Sequence, residues 1–311
     1  MKIYRSLEEI ENIEETAVAL GNFDGVHKGH QELIRKTVEY SAAHGLKSAV
    51  FTFENHPRNV LAGRPVIQNI LYPADKEKIL EDMGVDYLFS IPFDQEFASM
   101  PPEVFIEEIL WETFMMKVAF CGFNYCFGAK GAGTAELLSD AGRLLGFDVQ
   151  ILPPYTVDDE VVSSTLIRQL IESGEVESCE KYLGRSYTIA GEVVTGQRLG
   201  RTIGFPTVNL NLDEDMVSPP NGVYVTCCEY EGKKYPSITN VGKKPTVGEF
   251  SRNAETHLLD FSGDLYGEKI RVDFLQKVRE EKKFSGLEEL QEQIRLDCEY
   301  AREWHKKNDP M

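Results

Sequence analysis

Gly21-Asn22-Phe23-Asp24-Gly25-Val26-His27-Lys28-Gly29-His30 is the stretch from which the rest of the chain can be read. Before it, residues 17–20 are apolar; after it, residues 30–43 repeat apolar positions at helical spacing. The ten residues therefore form a strand-to-helix turn with two histidines three positions apart. Glycines in such a turn let backbone approach a ligand closely. A helix start offers unpaired N–H groups and a positive dipole end, which suit phosphate. A His-x-x-His pair can also bind zinc, but zinc needs further protein ligands. His44, His56, His257 and His305 supply no second pair with a nearby cysteine. Two satisfied surface histidines are the other plain reading. Phosphate is favoured because four residue types with separate roles coincide in ten positions.

Working outward, the first half alternates apolar strands with helical patterns. Strands are predicted at 16–22, 48–53, 87–92, 118–122 and 148–152, with helices near 30–43, 75–83, 101–115 and 134–145. Such alternation predicts a doubly wound parallel sheet of Rossmann-like type, covered by helices on both faces. Ligands in such sheets bind beyond the carboxyl ends of the strands, where residues 21–30 fall. A short helix is expected at 164–173. From Tyr187 the rhythm changes to short strands broken by Asn221-Gly222, Glu231-Gly232, Gly242 and Ser262-Gly263-Asp264. This predicts a small antiparallel barrel or sandwich. A last helix is expected at 287–306, with Ser285 and Glu288 as a capping box and Leu287, Leu290, Ile294, Cys298 and Ala301 as its packing face. The expected domains are 1–183 and 184–311.

The chain has 311 residues, long enough for two cores, and is 42% hydrophobic and 27% charged. No apolar run approaches the roughly 20 residues that span a bilayer. Residues at the start do not read as a secretory signal, so no membrane is expected and the cytoplasm is the expected compartment. The six cysteines lack zinc-ribbon spacing and suit reduced thiols. Net charge is −18. Residues 1–183 hold 15 basic against 30 acidic side chains, and residues 184–311 hold 18 against 21. So acidic a surface argues against nucleic acid as a partner. Anionic small molecules would need local features to hold them.

Two further stretches of the first half offer such features. Ser163-Ser164-Thr165-Leu166-Ile167-Arg168 opens a helix; its hydroxyls can simply cap it. Arg168 lies one turn on, on the side of Ser164 and Thr165, and the set can clamp a polyphosphate. The stretch 122–131, with Asn124 and Cys126, follows the fourth predicted strand and is otherwise a glycine-rich loop over aromatics.

In the second half, Gly196 and Gly200 bracket a basic loop that includes Arg201, suited to backbone contacts with phosphate. It lacks the Gly-Lys-Ser/Thr ending of a P-loop. Thr207 and Asn209 share a strand face and offer oxygens of the type Mg²⁺ prefers; a polar solvent-facing surface is the alternative. Glu255 is either a member of a structural ion pair or a general base for a hydroxyl.

These stretches resemble a known family. The first half looks like the nucleotidyltransferase module of bacterial FAD synthetases, whose turn reads Gly-x-Phe-Asp-Gly-x-His-x-Gly-His; the match at 21–30 is complete. The resemblance implies that His27 and His30 steady a nucleoside triphosphate as charge shifts during transfer. It implies that Gly21, Phe23, Asp24, Gly29, Ser164, Thr165 and Arg168 bind the nucleotide, with Asn124 near a phosphate. Residues 53–57 resemble another family stretch, which more often has proline where Asn55 stands. Cys126 stands where a larger, often basic residue is expected. The second half is similar to the riboflavin kinase module of the same enzymes, through 204–209, 222–224, 240–242, Pro245-Thr246, 255–257 and 279–284. The resemblance implies a small antiparallel barrel with a C-terminal helix. In it Thr207 and Asn209 hold Mg²⁺ and ATP phosphate, with Gly196, Gly200 and Arg201 at the nucleotide. Glu255 takes the proton of the ribityl 5′-hydroxyl, and the region of Arg279 borders the flavin. The implied activities are phosphorylation of riboflavin to FMN by MgATP, then adenylylation of FMN to FAD with release of pyrophosphate.

Overall fold

Thr16-Ala17-Val18-Ala19-Leu20 forms a strand whose five residues are all buried. A strand apolar on both faces belongs at the centre of a covered parallel sheet. Six strands build that sheet: β1 Lys2–Tyr4, β2 Thr16–Leu20, β3 Lys47–Phe53, β4 Tyr87–Ile91, β5 Met116–Gly122 and β6 Asp148–Leu152. Their order is β1-β4-β3-β2-β5-β6, and every pairing is parallel. Ala17 and Ala19 face the core containing Leu33 and Ile34 of helix α1, Lys28–His44. Val18 and Leu20 face the opposite core with Phe105 and Phe114. The chain winds outward in both directions from β2, so strand order reverses between β2 and β5. The loops after these two strands open at that switch point, where such sheets hold ligands.

The computed structural model describes residues 1–196, 204–245 and 250–308. The five predicted strands are present, and β1 is an addition: three residues are too few to show a period. The helix expected at 101–115 begins at Pro102, but Phe105–Thr113 continues in wider, π-type turns that bury Phe105, Ile106, Ile109 and Leu110. Helix α2, Pro73–Asp82, and α3, Ala135–Leu145, lie where helices were expected. Helix α4 is Ser164–Ser173.

The chain divides into two compact units, Met1–Ser164 and Thr165–Met311. The second contains β7 Tyr187–Glu192, β8 Val208–Asn211, β9 Gly222–Tyr230, β10 Lys233–Pro245, β11 Phe250–Leu258 and β12 Lys269–Arg279. These are antiparallel in the order β7-β12-β9-β10-β11-β8. The Val194 N–H donates to the Asn209 carbonyl at 2.9 Å, joining the chain just after β7 to β8 and nearly closing the ring. Inside run four fully buried hydroxyls in contact: Thr226 with Ser237, Thr226 with Thr239, and Thr239 with Thr256, each at 2.8 Å.

Helix α5, Leu287–Asn308, covers the outer face through Ile294, Cys298 and Ala301, against Val223, Val225 and Ile238. Leu287 is exposed instead of packed, because the buried stripe begins further along the helix. The cap is also displaced by one residue. The Ser285 hydroxyl and N–H donate to Glu289 Oε2, at 2.8 and 3.0 Å, where Glu288 was expected.

Candidate active sites

The turn after β2 is wound tightly. Phe23, Gly25 and Val26 all have positive φ, at 48°, 79° and 37°. For a β-branched residue such as Val26 that conformation is costly, so the surroundings must hold it. Gln31 donates its amide N–H to the Val26 carbonyl at 2.8 Å. The Thr52 hydroxyl donates to the Asn22 carbonyl at 2.8 Å. Gly21 abuts the Phe23 ring, and Phe23 and Val26 are fully buried.

This winding delivers the two histidines to one place. His27 is the N-cap of α1, and its Nδ1 accepts the His30 N–H at 3.2 Å. The rings stack, with centroids 3.5 Å apart and planes 16° from parallel. Phe23 meets His30 edge-on at 5.2 Å. A Cβ on Gly29 would stand 3.3 Å from the His27 ring and 3.2 Å from Tyr155 Cβ, so any larger residue there would press on the stack. His30 Nδ1 is sealed from solvent and has no hydrogen-bond partner among the described residues. A buried nitrogen without a partner costs about 1–3 kcal/mol, and a phosphate oxygen would relieve it. Burial, then the neighbouring His27 and the charge of Lys76, holds the His30 pKa well below its ordinary value. The ring is therefore neutral at pH 7, with one nitrogen a donor and the other an acceptor.

Asp24 points the other way. Its carboxylate accepts the Ile70 N–H at 2.9 Å, and its carbonyl accepts the Ser164 hydroxyl at 2.9 Å. Asp24 thus braces the loop, and Ser164 ties the start of α4 to it. Lys76, in the first turns of α2, was missed by the sequence reading. Its Nζ lies 3.5 Å from the Asn22 carbonyl. Burial lowers its pKa, while Asp24 and Glu77 act to raise it. A lone lysine some 50 residues from the motif sends no sequence signal, and only folding brings its charge beside His30.

Asn124 is exposed in the turn after β5, at the same sheet edge. Cys126 is exposed as well. Asn55 replaces the expected proline by clamping Phe93: it donates to the Phe93 carbonyl at 2.9 Å and accepts the Phe93 N–H at 2.8 Å. Thr165 and Arg168 follow Ser164 on α4 and belong to the second compact unit.

On the barrel, Asn209 of β8 pairs with Glu255 of β11, which pairs in turn with Asn240 of β10. Residue alternation puts this row on the face opposite the buried hydroxyls. A Cβ on Gly196 would stand 2.5 Å from Asn209 Nδ2, so only glycine lets the chain pass Asn209. Thr207 immediately precedes β8 and is half-buried. Gly200 and Arg201 lie outside the described residues. Asn253, buried beside Asn209 and Glu255, was also missed. The Arg279 guanidinium is committed to Asp297, at 2.7 and 3.1 Å, and stands 6.0 Å from the Phe284 ring centre. Among the described residues no group of three or more His, Cys, Asp or Glu is placed to hold a metal, and no helix is long and apolar enough to cross a membrane.

Comparison with known proteins matches each half separately. Residues 9–166 match the family model for FAD synthetase, and residues 183–305 match that for riboflavin kinase. A bifunctional riboflavin kinase/FMN adenylyltransferase of Haemophilus influenzae is 35% identical, over 97% of this chain and 98% of its own. The protein of that description from Escherichia coli K12 is 36% identical over 98% of both chains. That from Bacillus subtilis is 35% identical over 92% of this chain and 91% of its own. A crystal structure of a Streptococcus pneumoniae protein described as a macrolide-efflux protein superposes with a TM-score of 0.86, at 34% identity, over 97% of this chain and 98% of that one.

Proposed function

The chain belongs to the family of bifunctional riboflavin kinases/FMN adenylyltransferases, and from that premise we propose which of its residues perform each reaction. It phosphorylates riboflavin to FMN with ATP, then joins FMN to AMP from ATP, giving FAD and pyrophosphate. Both steps move phosphorus with little covalent work by the protein, so positioning and charge stabilisation dominate.

For adenylyl transfer, the observation that supports our assignment is the unpartnered Nδ1 of His30, held against His27 at a helix start. His27 and His30, their rings stacked, together steady the triphosphate of ATP as charge shifts during transfer. Backbone N–H groups of the 21–30 turn and the Lys76 ammonium offset the phosphate charge. Asp24 and Ser164 hold the turn in shape; Asn124, Thr165 and Arg168 contact the nucleotide or the FMN phosphate.

For the kinase step, Glu255 takes the proton of the ribityl 5′-hydroxyl. The oxygens of Thr207 and Asn209 are hard neutral donors of the type Mg²⁺ accepts beside substrate phosphates, and they would hold it here. Mg²⁺ would offset phosphate charge. Gly196, Gly200 and Arg201 contact ATP. Arg279, bound to Asp297, holds the 279–284 segment at the edge of the flavin instead of touching it through its own guanidinium. We place the protein in the cytoplasm, acting on small molecules, in keeping with six free cysteines.

One chromatographic time course tests the assignment of both sites to this chain. Riboflavin with MgATP should yield FMN first and FAD later. Accumulation of FMN without FAD from the purified protein would refute the adenylyl site described here.

A further inference from the structure

Asn253 sits on β11 two residues before Glu255, so both side chains leave the same face of the strand. It is 3% exposed, as is Asn209 opposite. Its amide nitrogen lies 3.2 Å from Asn209 Oδ1 and 3.4 Å from Glu255 Oε1. One NH₂ group thus reaches both the side chain assigned to metal and phosphate and the side chain assigned as base.

The chemistry of the three groups fixes their orientation. An ionised carboxylate only accepts hydrogen bonds, so Asn253 must turn its nitrogen toward Glu255. The second hydrogen of that NH₂ group then needs an acceptor, and Asn209 must turn its oxygen toward it. With Oδ1 on that side, Asn209 Nδ2 is directed at Gly196, where a side chain has no room. A free asparagine amide can flip and exchange oxygen for nitrogen. Here the charge on Glu255 dictates, through Asn253, which atom Asn209 presents.

We propose that Asn253 is a positioning residue of the kinase site, coupling the ionised Glu255 to the oxygen-forward orientation of Asn209. This rests on the roles given above to Glu255 and Asn209. Asn253 touches neither phosphate nor flavin in this scheme. Its two donated bonds hold the Glu255 carboxylate and the Asn209 amide in one fixed arrangement. They also keep an oxygen of Asn209, not its nitrogen, available to a cation. No part of the sequence pattern marks it, because an asparagine on a polar strand face is ordinary.

Asn253→Asp tests this with almost no change in shape. It replaces the donor with a second carboxylate, which repels Glu255 instead of holding it and cannot donate to Asn209. The rate of riboflavin phosphorylation at pH 7 should fall at least tenfold. The loss should appear both in kcat and in the KM for MgATP, because Glu255 and Asn209 lose the donor they share. Asn253→Ala should also lower kcat and raise the KM for MgATP. FAD formation from supplied FMN should be unchanged in both. Glu255→Ala is measured in parallel. If Glu255→Ala retains the full kinase rate, the role of Glu255 fails and the coupling fails with it. If Glu255→Ala is inactive while a folded Asn253→Asp keeps the parental kcat and KM for MgATP, the coupling alone is overturned. Failure of both Asn253 variants to fold would assign the residue to the barrel core and overturn it too.

Discussion

The hydroxyl of Ser164 donates to the carbonyl of Asp24 at 2.9 Å, across 140 positions of sequence. The bond pins the first residue of α4 to the middle of the turn that carries His27 and His30. Both partners look locally like ordinary capping and loop residues; their joint role exists only in the fold. Ser164→Ala should cost about 1 kcal/mol, the net worth of one such bond. FAD formation from FMN should fall roughly fivefold to tenfold, while riboflavin phosphorylation is unchanged. An unaltered adenylyl rate would show that the turn keeps its shape without the tether.

Replacing either histidine should affect the same half-reaction more severely. If each contributes like one donor of an oxyanion hole, His27→Ala and His30→Ala should each lose about 2–4 kcal/mol in adenylyl transfer. FMN formation should persist, and full FAD synthesis by both variants would refute the assignment.

His30 also makes stability depend on pH. Its pKa is depressed in the folded chain, so below the ordinary histidine value the unfolded chain binds the extra proton. This contribution is fully present above about pH 6.5. It is lost as the pH falls toward the folded pKa. Thermal melts of the parent and of His30→Asn between pH 8 and 5 should diverge, the parent losing more on acidification. Parallel curves would mean the buried ring does not titrate as described.

Lys76 should matter to adenylyl transfer although it lies outside every motif. Lys76→Met keeps most of the stem and removes the charge beside Asn22 and His30. The KM for ATP should rise, with a loss of about 1.5–3 kcal/mol in kcat/KM, typical of a hydrogen bond to a charged group. The kinase step supplies the internal control, and an unchanged KM for ATP in the adenylyl assay would remove Lys76 from the site.

The place at which the chain is cut should decide how well the kinase half stands on its own. Residues 165–183 group with the barrel: Val176–Ser178 packs on β12, and Val176, Cys179, Tyr182 and Leu183 are buried. Each large buried side chain stabilises by about 1.5–3 kcal/mol. A fragment of residues 165–311 should therefore melt well above one of residues 184–311, and both should make FMN and no FAD. If the shorter fragment is equally stable, the 165–183 segment contributes nothing to the barrel.

The features legible in the sequence were the contiguous ones. The turn at 21–30 encodes its winding, its cap and its histidines within ten residues, so reading it put the histidines at the carboxyl end of β2, where the fold has them. The strands that showed their period were found, whereas β1 is too short to show one. Lys76 and Asn253 were illegible for a different reason. Each is a common residue whose meaning comes from a neighbour distant in sequence or across a strand pair. Arg279 carries a partner that spacing does not show: Asp297, 18 positions away, accepts from its guanidinium. Helix α5 was recognised from its spacing, but Leu287 was included because periodicity does not say where packing stops.

The four hydroxyls enclosed by the barrel have a consequence for how this sequence can change over generations. Thr226, Ser237, Thr239 and Thr256 satisfy one another in a chain. Exchanging one threonine for valine preserves shape but strands a neighbouring hydroxyl, at a cost of about 1–3 kcal/mol; exchanging both partners of a bond can be nearly neutral. A double-mutant cycle of Thr239→Val and Thr256→Val, which removes an end pair and leaves Thr226 bonded to Ser237, should accordingly be strongly non-additive. Drift at these positions is therefore epistatic. A lineage leaves the threonine row by correlated replacements or remains in it, and the barrel interior is inherited as a block, not residue by residue.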